Sequence, residues 1–544
     1  MIQPQAAEDL GLDAGSIRLE ARSNGKASGA PDAVPPTSID AESQSKVKTL
    51  AELGEIAATL RAGGKQIALC HGVFDLLHLG HVRHLKAGRE QGDVLMVTIT
   101  ADEFVNKGPG RPVFSENIRA EMLASMDCVD YVAINYGPTA KEVVESIKPS
   151  VYVKGSDYEN ADDDITGNIR AEREAVERNA GRVYFTRDIT FSSTSLINKY
   201  FDVYDPPLRA FLERMRGEGA LSNVLNLIES VKNMRVLIVG DAIIDEYRYV
   251  KPLGKTSKEN IIATQFHDRE IFAGGALAAA NHVANFCAEV EVVTALGGID
   301  NYESLIQGSL KPNVKLTAVK LDGRPTTRKV RFVDATYMRK LFEVYFMDDQ
   351  PSNELDPLIA ERASKYDVVI VTDFGHGIIG DSTVDLLCEK SRFLAVNTQT
   401  NAGNAGFNLI TKYPRADYVC IDTPEARMAM GDRYGDLSTI ASHEIPAIVD
   451  CDNVIITQGS AGCIVYRPDL GTSIIPAFTK TIVDTIGAGD AFLAVTSPLV
   501  AAGGNPEYVG LVGNAVGAIK VGIVGHRSSV EKIPLIKYIG TLLK

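Results

Sequence analysis

What the chain lacks narrows its function first. No apolar stretch approaches the roughly twenty residues that a membrane helix needs, so no membrane partner is expected. Positive charge is in deficit: 56 Lys and Arg stand against 70 Asp and Glu, a formal net charge of −14. Binding a polyphosphate backbone calls for a basic footprint, so nucleic acid is excluded as a partner. A few lysines and arginines within an acidic protein still suffice for small anionic substrates. The seven cysteines (70, 128, 287, 388, 420, 451 and 463) have no paired spacing and form no Cys-x-x-Cys. That pattern offers neither a zinc site nor a disulfide framework, and points to reduced thiols. Residues Met1–Asp13 are polar and acidic where a secretory signal would be basic then apolar, which makes the cytoplasm the expected compartment. There is no internal repeat.

What is present is the composition of a globular protein, 45% hydrophobic and 23% charged. With 544 residues the chain is too long for one core, and length alone suggests about three domains. Residues 1–45, rich in Ala, Ser, Gly, Pro and Asp, read as a disordered leader. Residues 46–200 read as a first α/β domain, with a helix near Lys46–Arg61 and strands at Gln66–Cys70, Val94–Ile99, Tyr131–Ile134 and Val151–Val153. Strand, helix and strand at this spacing form a βαβ unit and hence a parallel sheet. Residues 201–232, with Pro206 and Pro207, read as a connector. A second α/β domain is expected over 233–544, its strands at Val236–Val239, Val290–Thr294, Val368–Thr372, Phe393–Val396 and Val454–Thr457. Glu246–Phe272 and Val314–Phe346 show β-type alternation and are expected to form a small antiparallel lid.

In the first domain, Cys70-His71-Gly72-Val73-Phe74-Asp75-Leu76-Leu77-His78-Leu79-Gly80-His81 lies where a strand turns into a helix. Helix N-termini hold unpaired N–H groups and partial positive charge, so phosphates settle there. His78 and His81 can both face one polyphosphate and stabilise charge building on its α-phosphate and leaving pyrophosphate. The alternative is a pair of surface histidines at a helix cap. The stretch resembles the HxGH nucleotidyltransferase superfamily, which implies a Rossmann-like domain. The resemblance implies a catalytic set of His78, His81 and Lys107, and a nucleotide cradle of Gly72, Val73, Phe74 and Arg119. It extends to Asp157 in Lys154-Gly155-Ser156-Asp157-Tyr158 and to Ser192, Ser193 and Thr194 in the closing motif. The base stays open: Lys154–Tyr158 leans to ATP, whereas Arg187 sits where cytidylyltransferases, which use CTP, carry an arginine.

Near the far end, Asp484-Thr485-Ile486-Gly487-Ala488-Gly489-Asp490-Ala491-Phe492 places three small residues before an acid at a helix start. Backbone N–H groups of Gly487, Ala488 and Gly489 can converge as an anion hole for a transferring phosphate, and Asp490 can take a proton from an attacking hydroxyl. This string resembles the signature of ribokinase-like (PfkB) sugar kinases. The resemblance implies a sugar side of Asp245, Gly274, Gly275, Lys329 and Arg331, the two cations holding a phosphate already on the sugar. Lys329 and Arg331 alternate with Thr327 along one strand face, whose alternative reading is a solvated surface. It also implies an ATP side of Thr457, Gly459, Gly462 and Asn514, with Mg2+ near Glu425 in Asp422-Thr423-Pro424-Glu425. Two departures stand out: Ala278 replaces an asparagine of the sugar pocket, and His376 replaces a lysine.

Together the two halves resemble the family of bifunctional heptose-phosphate kinase–adenylyltransferases, with the order of the halves reversed. The resemblance implies ATP-dependent phosphorylation of a sugar phosphate, then nucleotidyl transfer to a sugar 1-phosphate with release of pyrophosphate. Expected partners are sugar phosphates and nucleoside triphosphates, and the chain is expected to form a homodimer or higher oligomer. Alternatives are CTP-dependent synthesis of a CDP-linked sugar or polyol, one half retained as a binding module, or a non-catalytic scaffold.

Overall fold

The computed structural model describes residues 41–105, 111–155, 168–186, 204–404, 406–479 and 481–544. The expected leader falls almost wholly outside that set.

The first sheet has six parallel strands: β1 (Val47–Lys48), β2 (Ile67–Gly72), β3 (Val94–Thr100), β4 (Tyr131–Asn135), β5 (Val151–Gly155) and β6 (Arg182–Thr186), in the order β1-β4-β3-β2-β5-β6. Alternation of side chains across β2 explains the layering. Ala68 and Cys70 pack with Leu85 and Leu123 of the helices Leu79–Arg89 and Glu116–Ala124. Ile67 and Leu69 pack on the other face with Leu53 and Val144 of Leu50–Ala62 and Lys141–Ile147. Burial on both faces is why the strands read as apolar runs. Thr49 and Glu52 start the Leu50–Ala62 helix as a reciprocal capping box.

The second sheet has nine strands. They are β7 (Arg235–Gly240), β10 (Glu289–Ile299), β11 (Val314–Pro325), β14 (Val368–Asp373), β15 (Leu394–Thr398), β16 (Tyr418–Asp422), β17 (Asn453–Thr457), β18 (Cys463–Arg467) and β19 (Gly471–Ile475). Their order is β11-β10-β7-β14-β15-β16-β17-β18-β19, with parallel pairing except at β17-β18-β19. Val236 and Ile238 of β7 enter one core, while Leu237 and Val239 enter the other. Beside it lies a four-stranded sheet, β13 (Arg339–Phe346)-β12 (Arg328–Asp334)-β8 (Ala242–Lys255)-β9 (Ile262–Gly275).

Three features differ from expectation. The lid is mixed instead of antiparallel, because β12 pairs in parallel with β8. Val314–Pro325 does not belong to the lid; it is the parallel edge strand β11, whose partly exposed outer side produces the alternation. The expected connector is, in its helical part, a layer of the second unit. Asp205 caps Pro206–Gly217, from which Phe211, Leu212 and Met215 enter the larger core, joined by Val224 and Ile228 of Ala220–Ser230. Arg214 pairs with Glu507 at 2.8 Å, and the Arg216 guanidinium donates to the Leu542 carbonyl at 2.7 Å. No helix among the described residues is long and apolar enough to cross a membrane.

Two candidate active sites

The first site gathers at the end of β2. His78 is the N-cap of Leu79–Arg89, its Nδ1 accepting from the Gly80 N–H at 3.1 Å. Its ring stacks on that of His81, with centroids 4.0 Å apart, and Phe74 lies 5.3 Å from His81. Burial lowers the His78 pKa, so the ring is neutral near pH 7. Gly72 ends the strand and Val73 follows it, and Asp75 is held by Arg111 Nη1 at 3.0 Å. The structure therefore brings both histidines together at a helix N-terminus, where orphan N–H groups can meet a polyphosphate.

Arg119 departs from its expected place in the nucleotide cradle. It has no exposed surface, and its guanidinium donates to the carbonyls of Val73 (2.6 Å), Thr100 (2.9 Å) and Phe114 (3.0 Å), and to Asp102. Those acceptors close around a rigid, many-donor fork and leave it as the pin that ties β2 to β3. Lys107, Asp157, Arg187, Ser192, Ser193 and Thr194 lie outside the described residues. Lys154 pairs with Glu172 at 2.8 Å, and Glu172 also accepts from Tyr152 Oη.

The second site is a cavity of about 570 Å³ between the nine-stranded sheet and the lid. Asp245, Gly275, Lys329 and Arg331 line it, with Thr457, Gly459, Gly462 and Asn514 and the Gly487–Asp490 turn. Gly274 stands beside them, so close to Asp245 that a Cβ would fall 2.2 Å from Oδ2. At the cavity floor Gly487 (φ +73°) starts the Ala488–Ala501 helix. A side chain there would be strained and would meet the His526 ring at 2.5 Å. Asp490 sits in the first helical turn, accepting from Gln399 Nε2 at 2.8 Å. Burial, reinforced by the charge of Asp245, pushes its pKa up to about 6 against the pull of His526, Lys520 and Lys329. A carboxylate with that value is basic enough to accept a proton and still ionised at neutral pH.

Asp245 is caught between two groups. Arg331 Nη1 bonds Oδ1, and His526 Nε2 lies 3.2 Å from Oδ2. Burial alone would raise its pKa, but these neighbours outweigh that and hold it well below the carboxylate range. Arg331 also pairs with Glu343 at 3.1 Å, so its charge is already matched. Lys329, by contrast, has no carboxylate within ion-pair distance among the described residues. Its ammonium stands 5.1 Å from the Tyr345 ring centroid and 5.7 Å from that of Phe374. At 6% and 7% exposure Lys329 and Arg331 are not the solvated strand face that was the alternative reading. His376 is buried against Phe374, and burial followed by the Lys329 charge takes its pKa down to about 3.

On the opposite wall, Glu425 accepts from the N–H groups of Thr400 (3.1 Å) and Asp422 (2.9 Å). Burial and the neighbouring Asp422 raise its pKa to about 8, so a cation there would relieve the pair. Because both Glu425 oxygens are occupied by backbone donors, the fit is to Mg2+ held through its own water shell. Asn514 donates to the Ile475 and Pro476 carbonyls at 3.0 and 2.9 Å, anchoring the chain after β19. Sequence reasoning missed His526, Gln399, Asn397 and Thr400, all of which line the cavity. None belongs to a glycine-rich or paired-residue motif, so no local signal marked them.

Comparison with known proteins follows the same division. The pfkB family carbohydrate kinase description matches residues 233–533, and the cytidylyltransferase-like description matches residues 69–199. A Trichlorobacter lovleyi relative named "Bifunctional protein HldE" is 37% identical over 166 residues, 30% of this chain and 32% of that protein. One of the same name from Aliarcobacter butzleri is 45% identical over 122 residues, 22% of this chain and 26% of that protein. The chain thus covers about a third or less of the length of these relatives. The crystal structure of a putative ribokinase from Agrobacterium tumefaciens is 16% identical, covering 57% of this chain and 99% of its own, with a TM-score of 0.46.

Proposed function

Because the chain belongs to the pfkB family of carbohydrate kinases, we propose that it phosphorylates a heptose-like sugar phosphate with ATP in the second unit. In the first unit it transfers a nucleotidyl group to a sugar 1-phosphate, ADP-sugar being the favoured product. The observation that carries the reading is Asp490 beside the helix-start anion hole, with Asp245 and Lys329 across one cavity. The acceptor hydroxyl attacks the γ-phosphorus, its proton passes to Asp490, and ADP departs. N–H groups at Gly487, Ala488 and Gly489 meet the charge that develops on the transferring group. Asp245 binds hydroxyls of the sugar, and Lys329 meets the phosphate it already bears. Mg2+, near Glu425 and Asp422, would neutralise the phosphate oxygens of bound ATP.

In the first unit an oxygen of the sugar 1-phosphate attacks the α-phosphorus and pyrophosphate leaves. His78 and His81 stabilise that charge; Lys107, Asp157, Arg187 and Ser192–Thr194 are assigned to the same nucleotide by resemblance alone. The resemblance carried by Lys154–Tyr158 favours ATP as the nucleotide, and the cytidylyltransferase-like match keeps CTP as the competing substrate. We read 46–200 as one catalytic unit and 233–544, with the helices Pro206–Gly217 and Ala220–Ser230 packed into its core, as the other, and a homodimer or higher oligomer as the assembly, in the cytoplasm. Purified full chain, supplied with several sugar phosphates and each of four nucleoside triphosphates, tests this by mass spectrometry. Sugar bisphosphate and NDP-sugar are the expected products. Absence of both, with any pairing, would remove the proposal.

A further inference from the structure

Lys520 has no exposed surface, yet among the described residues no carboxylate lies within ion-pair distance of it. Its ammonium instead donates to the carbonyls of Ile486 and Gly525, each at 2.7 Å. The N–H groups of the same two residues donate to Asp484, from Ile486 to Oδ1 at 3.1 Å and from Gly525 to Oδ2 at 2.8 Å. Each of these residues therefore offers its carbonyl to a cation and its amide to an anion. Lys520 and Asp484 are joined through two strands of backbone instead of touching.

The two clamped residues adjoin the chemistry. Ile486 precedes Gly487, the residue that opens the anion hole, and Gly525 precedes His526, which contacts Asp245 and crowds Gly487. Asp484 also accepts from Tyr247 Oη of β8 (2.7 Å) and from Lys340 Nζ of β13 (2.6 Å), which extends the clamp to the lid. An unpaired ammonium in a protein interior is costly, and an apolar side chain would fill the same volume without that cost. A lysine kept only as a helix C-cap would reach the last carbonyls of its own helix. Lys520 ends the helix Pro506–Lys520 but reaches two other segments. Its own pKa is lowered by burial, with Asp484, Asp490 and Asp245 pulling the other way.

We propose that Lys520 is a positioning residue for phosphoryl transfer, clamping with Asp484 the peptide groups of Ile486 and Gly525 so that the anion hole is fixed against the sugar side. The proposal rests on the kinase reading of the cavity. It is tested in the full chain with Lys520→Met and Lys520→Ala. Kinase kcat should fall about tenfold to a hundredfold, while KM for ATP and sugar phosphate stays within about threefold, as for groups that act on transition-state charge. Ammonium chloride should restore part of the loss in Lys520→Ala but not in Lys520→Met, with sodium chloride of equal ionic strength inert. Nucleotidyl transfer and thermal melting of the same preparations report folding. Wild-type kcat in folded Lys520→Met, or a loss in Lys520→Ala that ammonium leaves unchanged, overturns the clamp. Should neither variant fold, Lys520→Gln, whose amide reaches one carbonyl without charge, carries the kcat comparison. A wild-type chain with no sugar-dependent ATP consumption would instead overturn the kinase reading itself.

Discussion

The two halves present different electrostatic means for the phosphate chemistry proposed for each. The second unit encloses its cavity with buried charges, including Asp245 locked by Arg331 and His526, and an Asp490 whose pKa rises to about 6. The first unit relies on a helix start and two stacked, partly buried histidines, with its fully buried arginine given over to backbone carbonyls. A proton must be removed from an acceptor hydroxyl, so the kinase needs a base tuned by burial. In the transfer proposed for the first unit, a sugar phosphate attacks as an anion, and charge stabilisation at the α-phosphate suffices. Burial in one half therefore tunes a titration, and in the other it fixes a shape.

The largest break in this contrast should come from the histidines. In His78→Ala and in His81→Ala, nucleotidyl transfer should lose about a hundredfold or more in kcat with milder change in KM, leaving the kinase untouched. Steady-state assays of both activities check this; wild-type kcat would return the pair to helix-cap residues. A smaller effect is expected at Lys329. Lys329→Met should reduce the preference for phosphorylated over free sugar by about tenfold, since a charge-assisted bond to phosphate contributes about 1.5–3 kcal/mol. Arg331→Met should weaken binding of both sugars alike through loss of the Asp245 lock. Competition between the two sugars, followed as kcat/KM, separates these outcomes. The smallest catalytic effect belongs to Arg119. Arg119→Met should cost about 2–4 kcal/mol of stability by stranding its carbonyl acceptors. Its KM for the nucleotide should stay within about twofold, as thermal melting and transferase kinetics would show.

Much of this contrast was legible in the chain, but unevenly. Central strands such as β7 and β14 declared themselves because both faces are covered, giving unbroken apolar runs. The edge strand β11 did not, since its sides are only partly covered and Lys315 and Lys320 stay exposed between packed residues, which gives it the alternation of a lid strand. The parallel pairing of β12 with β8 depends on chain path and leaves no mark in composition. Asp490 and the histidines were visible because the anion hole needs small residues and a helix start in fixed local order. His526 and Gln399 reach the cavity from separate segments, and Lys520 lies buried behind it on the Ile486 and Gly525 carbonyls, so only tertiary closure reveals them. Arg119 shows the converse: a guanidinium serves a phosphate or three carbonyls equally well, and sequence position does not say which.

Asp490→Asn, with both activities measured on one preparation, tests most directly the claim of two separate chemistries. The substitution keeps shape and the Gln399 contact region but removes the base. The account predicts that sugar phosphorylation falls by about a thousandfold, while nucleotidyl transfer from supplied sugar 1-phosphate is unchanged. In the wild type, kinase kcat/KM should climb from pH 5 to 7 with a midpoint near 6, because the raised Asp490 pKa leaves the base protonated below that value. Loss of both activities in a folded variant, or a kinase that survives the change, would contradict it.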